Sequence, residues 1–229
     1  MKKIFTLVAL LAVIYSNAQT NVQRIVGSFA GVSAATGIQV EITQGDEESV
    51  FVNASDDAYT DKLKTVVENG VLKIFYENKD WKKNSVKNLK LKAFVKFKNI
   101  DKIYVSSGAG IITKNTITAN VLLLDVSSGA QFTGALKVAD FSIEQSSGAV
   151  SKITGSATNV KANLSSGTVC TATAFTAENC SATASSGAVL KMGVSGKLSV
   201  KASSGAIVSY IGNALVEKKL SSGASVKKI

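Results

Sequence analysis

The chain has no histidine and no proline, and only two cysteines, one tryptophan and one arginine, Arg24, in 229 residues. Without histidine, a serine hydroxyl has no ordinary general base beside it, so nucleophilic catalysis by its many serines is not expected. The same absence removes the commonest nitrogen ligand for metals, and Cys170 and Cys180 alone do not make a thiolate site, so neither metal nor cofactor is expected. A single arginine and no recognised binding motif argue against nucleic acid, although the formal net charge is +10.

Long apolar runs are also scarce. The only one, Ile4 to Tyr15, follows Lys2 and Lys3 and precedes Ser16-Asn17-Ala18, the pattern of a secretory signal peptide cut after Ala18. It is shorter than the roughly 20 residues a spanning helix needs, and nothing later comes near that length. No cysteine follows it, so no lipoprotein anchor is expected. The mature chain is expected to be exported, in the periplasm, at the outer surface or secreted, without a membrane span. Loss of Lys2 and Lys3 takes the net charge from +10 to +8.

Glycine, serine, alanine, threonine and valine are abundant, and they are arranged periodically. Ser-Ser-Gly-Ala stands at residues 106–109, 127–130, 146–149, 185–188, 203–206 and 221–224, with Ser-Ser-Gly-Thr at 165–168. The first serines are spaced by 21, 19, 19, 20, 18 and 18 residues, the signature of a stacked-coil solenoid. One, three and five positions before each phrase the columns are largely apolar, for example Val126, Leu124 and Leu122, while Ser142, Lys161 and Ser199 alternate with them. That is the period of a strand with one buried face. The apolar pattern resumes five residues beyond the first serine, at Ile111, Phe132, Cys170, Leu190 and Val208.

The phrase therefore reads as a corner, with its glycine supplying the unusual backbone. Its pairs, Ser107-Gly108, Ser128-Gly129, Ser147-Gly148, Ser166-Gly167, Ser186-Gly187, Ser204-Gly205 and Ser222-Gly223, are expected to stack as ladders. If alternation runs on through the turn, the second serine and the alanine of each phrase point inward. At roughly 4.8 Å per rung the repeat half makes a rod of about 29 Å. The one Ser-x-x-Lys pattern, Ser225 to Lys228, is a chance match near the chain end. Cys170 and Cys180 both fall on inward columns, and opposed sheets about 10 Å apart favour two buried thiols over a disulfide.

Residues 19–100 lack the phrase but are rich in strands, and 101–229 carry the repeat as a continuation of the same domain. Gly37 to Ile42 and Ser49 to Val52 read as strands, Asp56 to Val67 as a short helix or turn, and Asn69-Gly70 as a hairpin turn into Val71 to Phe75. Lys79 to Asn88 reads as a polar loop around Trp81. From Leu89 to Phe97 inward apolar residues alternate with Lys90, Lys92, Phe94, Lys96 and Lys98. With Lys82, Lys83 and Lys87 of the loop these form a candidate surface for an anionic ligand; the alternative is a solvated face that discourages edge pairing.

Phe29-Ala30-Gly31-Val32, Gly37 to Gly45, Glu68 to Ile74 and the recurring Ser-Ser-Gly-Ala together resemble the putative auto-transporter adhesin, head GIN domain family, over nearly the whole mature chain. The resemblance implies an all-β, single-stranded right-handed parallel β-helix with rungs of about 18–21 residues. It is a domain of unknown function found in exported Bacteroidetes proteins, with no catalytic residues to carry over. Lys218, Lys219, Lys227 and Lys228 are expected to form a polar cap on the last rung, and neither a membrane barrel nor auto-transporter activity of the chain itself is expected.

The function expected is a non-catalytic, adhesin-like or envelope-associated module that binds a protein partner or an anionic glycan or envelope surface. One alternative is a polysaccharide-active enzyme, for which acids in the repeat half are few and the best pair is Asp125 and Glu144, on one outward column of successive rungs. The other is a structural homo-oligomer assembling end to end.

Overall fold

The computed structural model describes residues 21–77 and 89–229. It is almost all strand, arranged as a parallel β-solenoid of about seven turns. The signal peptide, Trp81, Lys82, Lys83 and Lys87 lie outside the described residues.

The first strands are β1 (Val22–Arg24), β2 (Gly31–Ala34), β3 (Gln39–Gln44) and β4 (Ser49–Ala54). A short 3-10 helix, Asp57–Lys62, follows, capped by the Asp56 carboxylate, which accepts from the Ala58 N–H at 3.0 Å. Then come β5 (Leu63–Glu68), β6 (Val71–Tyr76), β7 (Leu91–Phe97) and β8 (Lys102–Val105). The hairpin of β5 and β6 turns at Asn69 and Gly70, whose φ values of 52° and 73° are the paired left-handed conformations of a two-residue hairpin turn.

The repeat supplies β9 (Gly110–Val126), β10 (Gln131–Gln145), β11 (Val150–Leu164), β12 (Val169–Ala184) and β13 (Val189–Ala202). The last turn is divided into β14 (Ile207–Ile211), β15 (Leu215–Leu220) and β16 (Ser225–Lys228). Successive rungs pair in parallel, and the inward columns from Val105, Ile103 and Ile111 onward are buried through the rung of β13. Asp101, Lys218 and Leu220 depart from these columns and are exposed.

The second serine of each phrase does not point inward. Ser107, Ser128, Ser147, Ser166, Ser186, Ser204 and Ser222 are exposed with φ between 50° and 55°, as are the glycines after them at 69° to 75°. Two consecutive left-handed residues turn the chain sharply and swing the serine outward, and the alanine after them returns to the core in the same parity as before the corner. An i to i+3 bond closes the turn, as from the Ala109 N–H to the Ser106 carbonyl at 3.0 Å. Each glycine N–H then donates to the second-serine carbonyl of the next rung, from Gly108 to Ser128 at 3.0 Å through Gly205 to Ser222 at 3.0 Å.

This ladder extends into the half that lacks the phrase. Thr36 and Gly37 take φ values of 57° and 73°, and the Gly37 N–H donates to the Ser107 carbonyl at 3.0 Å. Ala35-Thr36-Gly37-Ile38 is therefore the same corner in divergent residues.

Corners stay aligned although rung lengths differ, because surplus residues are taken up between corners. The 21-residue interval sits beside one of 19, and there β9 places three residues, Thr113 to Asn115, where β10 has Gly134 alone. Where two 19-residue intervals adjoin, β10 and β11 pair without any shift. A register slip at a corner would put every inward residue of a rung into solvent, so bulges between corners are the cheaper solution.

Candidate functional site

Strand β7 places Leu91, Ala93, Val95 and Phe97 in the core and Lys92, Phe94 and Lys96 outward. It is not an edge strand. It pairs in parallel with β3 and antiparallel with β4, so discouraging edge pairing cannot be what its lysines are for. Phe94 lies opposite Glu41 on one side and Phe51 on the other; Lys92 lies opposite Gln39 and Asn53, and Lys96 opposite Thr43 and Ser49.

The outcome is a strip with two half-buried phenylalanines, Phe51 and Phe94, between two exposed ammonium groups about 13 Å apart along the strand. Glu41 is the only acid on it, and its carboxylate pairs with Lys114 at 3.4 Å. The ends of β7 are held by backbone clamps. The Lys90 N–H donates to Ser55 Oγ at 3.0 Å while its carbonyl accepts from the Ser55 N–H, and Gln44 Nε2 donates to the Lys98 carbonyl at 3.0 Å. Lys90 and Lys98 are exposed at these ends. Such a strip can hold an anionic polymer by charge and stack apolar or sugar faces on its rings.

Phe51 was not among the residues singled out from the sequence. Its outward direction is readable from the alternation of Val50, Phe51 and Val52, but its place beside Phe94 comes from antiparallel pairing between distant segments.

Asp125 and Glu144 are direct neighbours on β9 and β10. They line an open groove of about 420 Å³ with Asn163, Thr183, Ser146 and Ser165. Burial first, and then the Glu144 charge, push the Asp125 carboxyl above its usual range. An acid with a raised native pKa favours folding below its unfolded pKa, and that contribution is lost as pH rises through the raised value. Asp125→Asn is therefore expected to raise the thermal midpoint at about pH 7 and to leave it nearly unchanged at about pH 3, measured by circular dichroism.

Cys170 and Cys180 are free, and burial pushes both thiols up to about 12, so at neutral pH they are protonated core residues. No group of three or more acidic or cysteine side chains placed to hold a metal occurs among the described residues. Among them, too, no helix is long and apolar enough to cross a membrane.

The family model described as putative auto-transporter adhesin, head GIN domain, matches residues 28–214. The chain belongs to this family. Several solved structures share the fold. A putative adhesin from Bacteroides fragilis NCTC 9343 superposes with a TM-score of 0.82 at 15% identity, covering 93% of this chain and 98% of that one. A putative lipid binding protein from Parabacteroides distasonis ATCC 8503 gives 0.70 at 15% identity over 93% and 97%. A putative adhesin from Parabacteroides merdae ATCC 43184 gives 0.70 at 14% identity over 93% and 97%. At these identities the likeness is one of fold. No curated protein matches the chain. Within the head GIN family, then, this chain is a parallel β-solenoid.

Proposed function

We propose that this head GIN protein is an exported, non-catalytic binding module whose β7 face engages an anionic polymer of the cell envelope. The observation that carries the reading is the place of Lys92, Phe94 and Lys96 on a strand paired on both sides. Edge protection has no use there, and Phe51 adds a second exposed-side ring. The adhesin descriptions of its structural relatives agree with a binding role at a surface. Export, and a contribution from Lys82, Lys83 and Lys87, which lie outside the described residues, belong to the same proposal, since both follow from the sequence pattern.

The test is binding of the mature protein to immobilised acidic and neutral bacterial polysaccharides at low and high salt. Wild type is expected to bind the acidic polymers in a salt-sensitive way, and Lys92→Gln with Lys96→Gln to weaken binding by about tenfold or more. Equal binding of acidic polymers by the variant would contradict the proposal, as would salt-insensitive binding.

A further inference from the structure

The outer face that begins at β4 and β7 continues along the solenoid through β3 and β9 to β14 and β16. Two of its features, on different residues from the β7 strip, belong together.

The first is a recess made by the surplus residues of β9. Asn115 is pinned there: its Nδ2 donates to the Gln44 carbonyl at 2.8 Å and its Oδ1 accepts from the Gln44 N–H at 3.0 Å. The bulge stands beside a hollow of about 390 Å³ walled by Lys114, Lys152, Thr113, Thr133 and Thr154. Thr113 Oγ1 already accepts from the Ala135 N–H at 3.0 Å, so its hydroxyl proton is left to donate. No carboxylate is among the residues that line the hollow, but the Glu41 carboxylate reaches Lys114 at 3.4 Å, so an oxyanion there shares Lys114 with Glu41 and has Lys152 to itself. Two ammonium groups and several hydroxyls at one concave spot suit a phosphate-type oxyanion.

The second feature starts on β11, two residues from Lys152. Val150, Val169, Val189 and Ile207 are paired in register on four consecutive rungs and all point outward. Val150 is 46% exposed and Ile207 37%, with Val169 and Val189 half-buried between them, where outward positions of the neighbouring column carry Lys152, Thr171 and Lys191. The ladder runs about 14 Å along the axis, three strand spacings. A charged hollow at the head of an exposed aliphatic stripe is the outline of an amphiphile.

We propose that this face seats on a bilayer leaflet containing phosphate-bearing anionic lipids, with a lipid phosphate in the recess between Lys114 and Lys152 and the Val150 to Ile207 ladder against the acyl boundary. Charge complementarity selects the occupant: among the outward residues of β9 to β14 that flank the ladder, the charged ones are Lys152 and Lys191, and no acid occurs.

The experiment is vesicle co-sedimentation of the mature protein with phosphatidylcholine alone and with added phosphatidate. Wild type is expected to sediment with the phosphatidate vesicles only. Lys114→Gln with Lys152→Gln is expected to lose about tenfold or more in apparent affinity, and Val169→Thr with Val189→Thr a comparable amount, both substitutions being at surface-facing positions that β-strands tolerate. Lys161→Gln with Lys201→Gln, the same charge change on another face, is expected to bind like wild type. The idea is overturned if wild type ignores phosphatidate, if the Lys114 and Lys152 variant binds unchanged, or if the Lys161 and Lys201 variant loses as much. Inhibition by free inorganic phosphate together with unchanged binding by the valine variant would overturn the lipid assignment in favour of a free anion. Loss of vesicle binding only in the Lys92 and Lys96 variant would move the site to β7, so this proposal and the one for β7 fail separately.

Discussion

Gly155→Ala is expected to destabilise the protein by about 4 kcal/mol or more, enough to leave a marginal domain largely unfolded. Gly155 has φ of 112°, outside every region an alanine occupies comfortably, and a Cβ built on it would lie 1.9 Å from the Leu136 carbonyl oxygen. That oxygen is backbone of the neighbouring rung, so it can move only if the register between β10 and β11 moves with it. Gly148→Ala is the control. Its φ of 71° strains an alanine, but nothing stands within 4 Å of the new methyl, and the expected cost is only about 1 kcal/mol. Urea unfolding followed by circular dichroism separates the two. Equal losses would mean that backbone strain, not close approach of the rungs, sets the requirement for glycine at position 155.

Phe175→Ala is expected to cost about 3–5 kcal/mol. Phe175 is fully buried and its ring centroid is 5.9 Å from that of Phe141, with the planes tilted by 49°. These are among the largest fully buried side chains of the chain, in a repeat whose other inward residues include many alanines. A solenoid is held by nearest-neighbour interfaces, so a hole at one rung weakens the coupling of the blocks on either side. Phe175 lies on β12 between Cys170 and Cys180, so thiol labelling reports the opening of this rung directly. The native protein is expected to resist labelling at neutral pH, and the variant to label at a rate well above it. Phe175→Leu, which keeps most of the volume, is expected to lose about 1.5 kcal/mol or less. Slow labelling in both variants would show that the rung closes over the cavity.

The solenoid was legible because one corner phrase recurs with a nearly fixed period and the residues beside it alternate. The columns through Leu124, Ile143, Ala162, Ala182 and Val200 can be counted from the sequence, and they are the core. What alternation could not supply was the turn itself. Ser107 and its equivalents share left-handed backbone with the following glycine, which turns the serine outward, although Ala109 and Ile111 beyond it keep the inward parity that a simple count gives. The corner at Thr36-Gly37 was hidden for a related reason: the geometry needs two residues that tolerate positive φ, and threonine does not announce itself as one.

For the candidate site, the alternation from Leu91 to Phe97 assigned Lys92, Phe94 and Lys96 to the outer face. It could not show that β7 is an inner strand, because β4 reaches it by an antiparallel connection from residues some forty positions earlier, without any repeat to mark the pairing. That placement removes edge protection as the explanation for the lysines. The surplus of two residues behind the recess at Lys114 shows in the 21- and 19-residue spacings, but alternation did not say where along the rung it bulges.

The most direct measurement is a lysine-acetylation footprint of the mature protein with and without an excess of acidic envelope polysaccharide, read residue by residue by mass spectrometry. The β7 assignment predicts that Lys92 and Lys96 are protected, while Lys161 and Lys201 on another outward face stay as reactive as in the free protein. Uniform reactivity of Lys92 and Lys96 in the presence of bound polymer, or protection centred on Lys161 and Lys201, would contradict it.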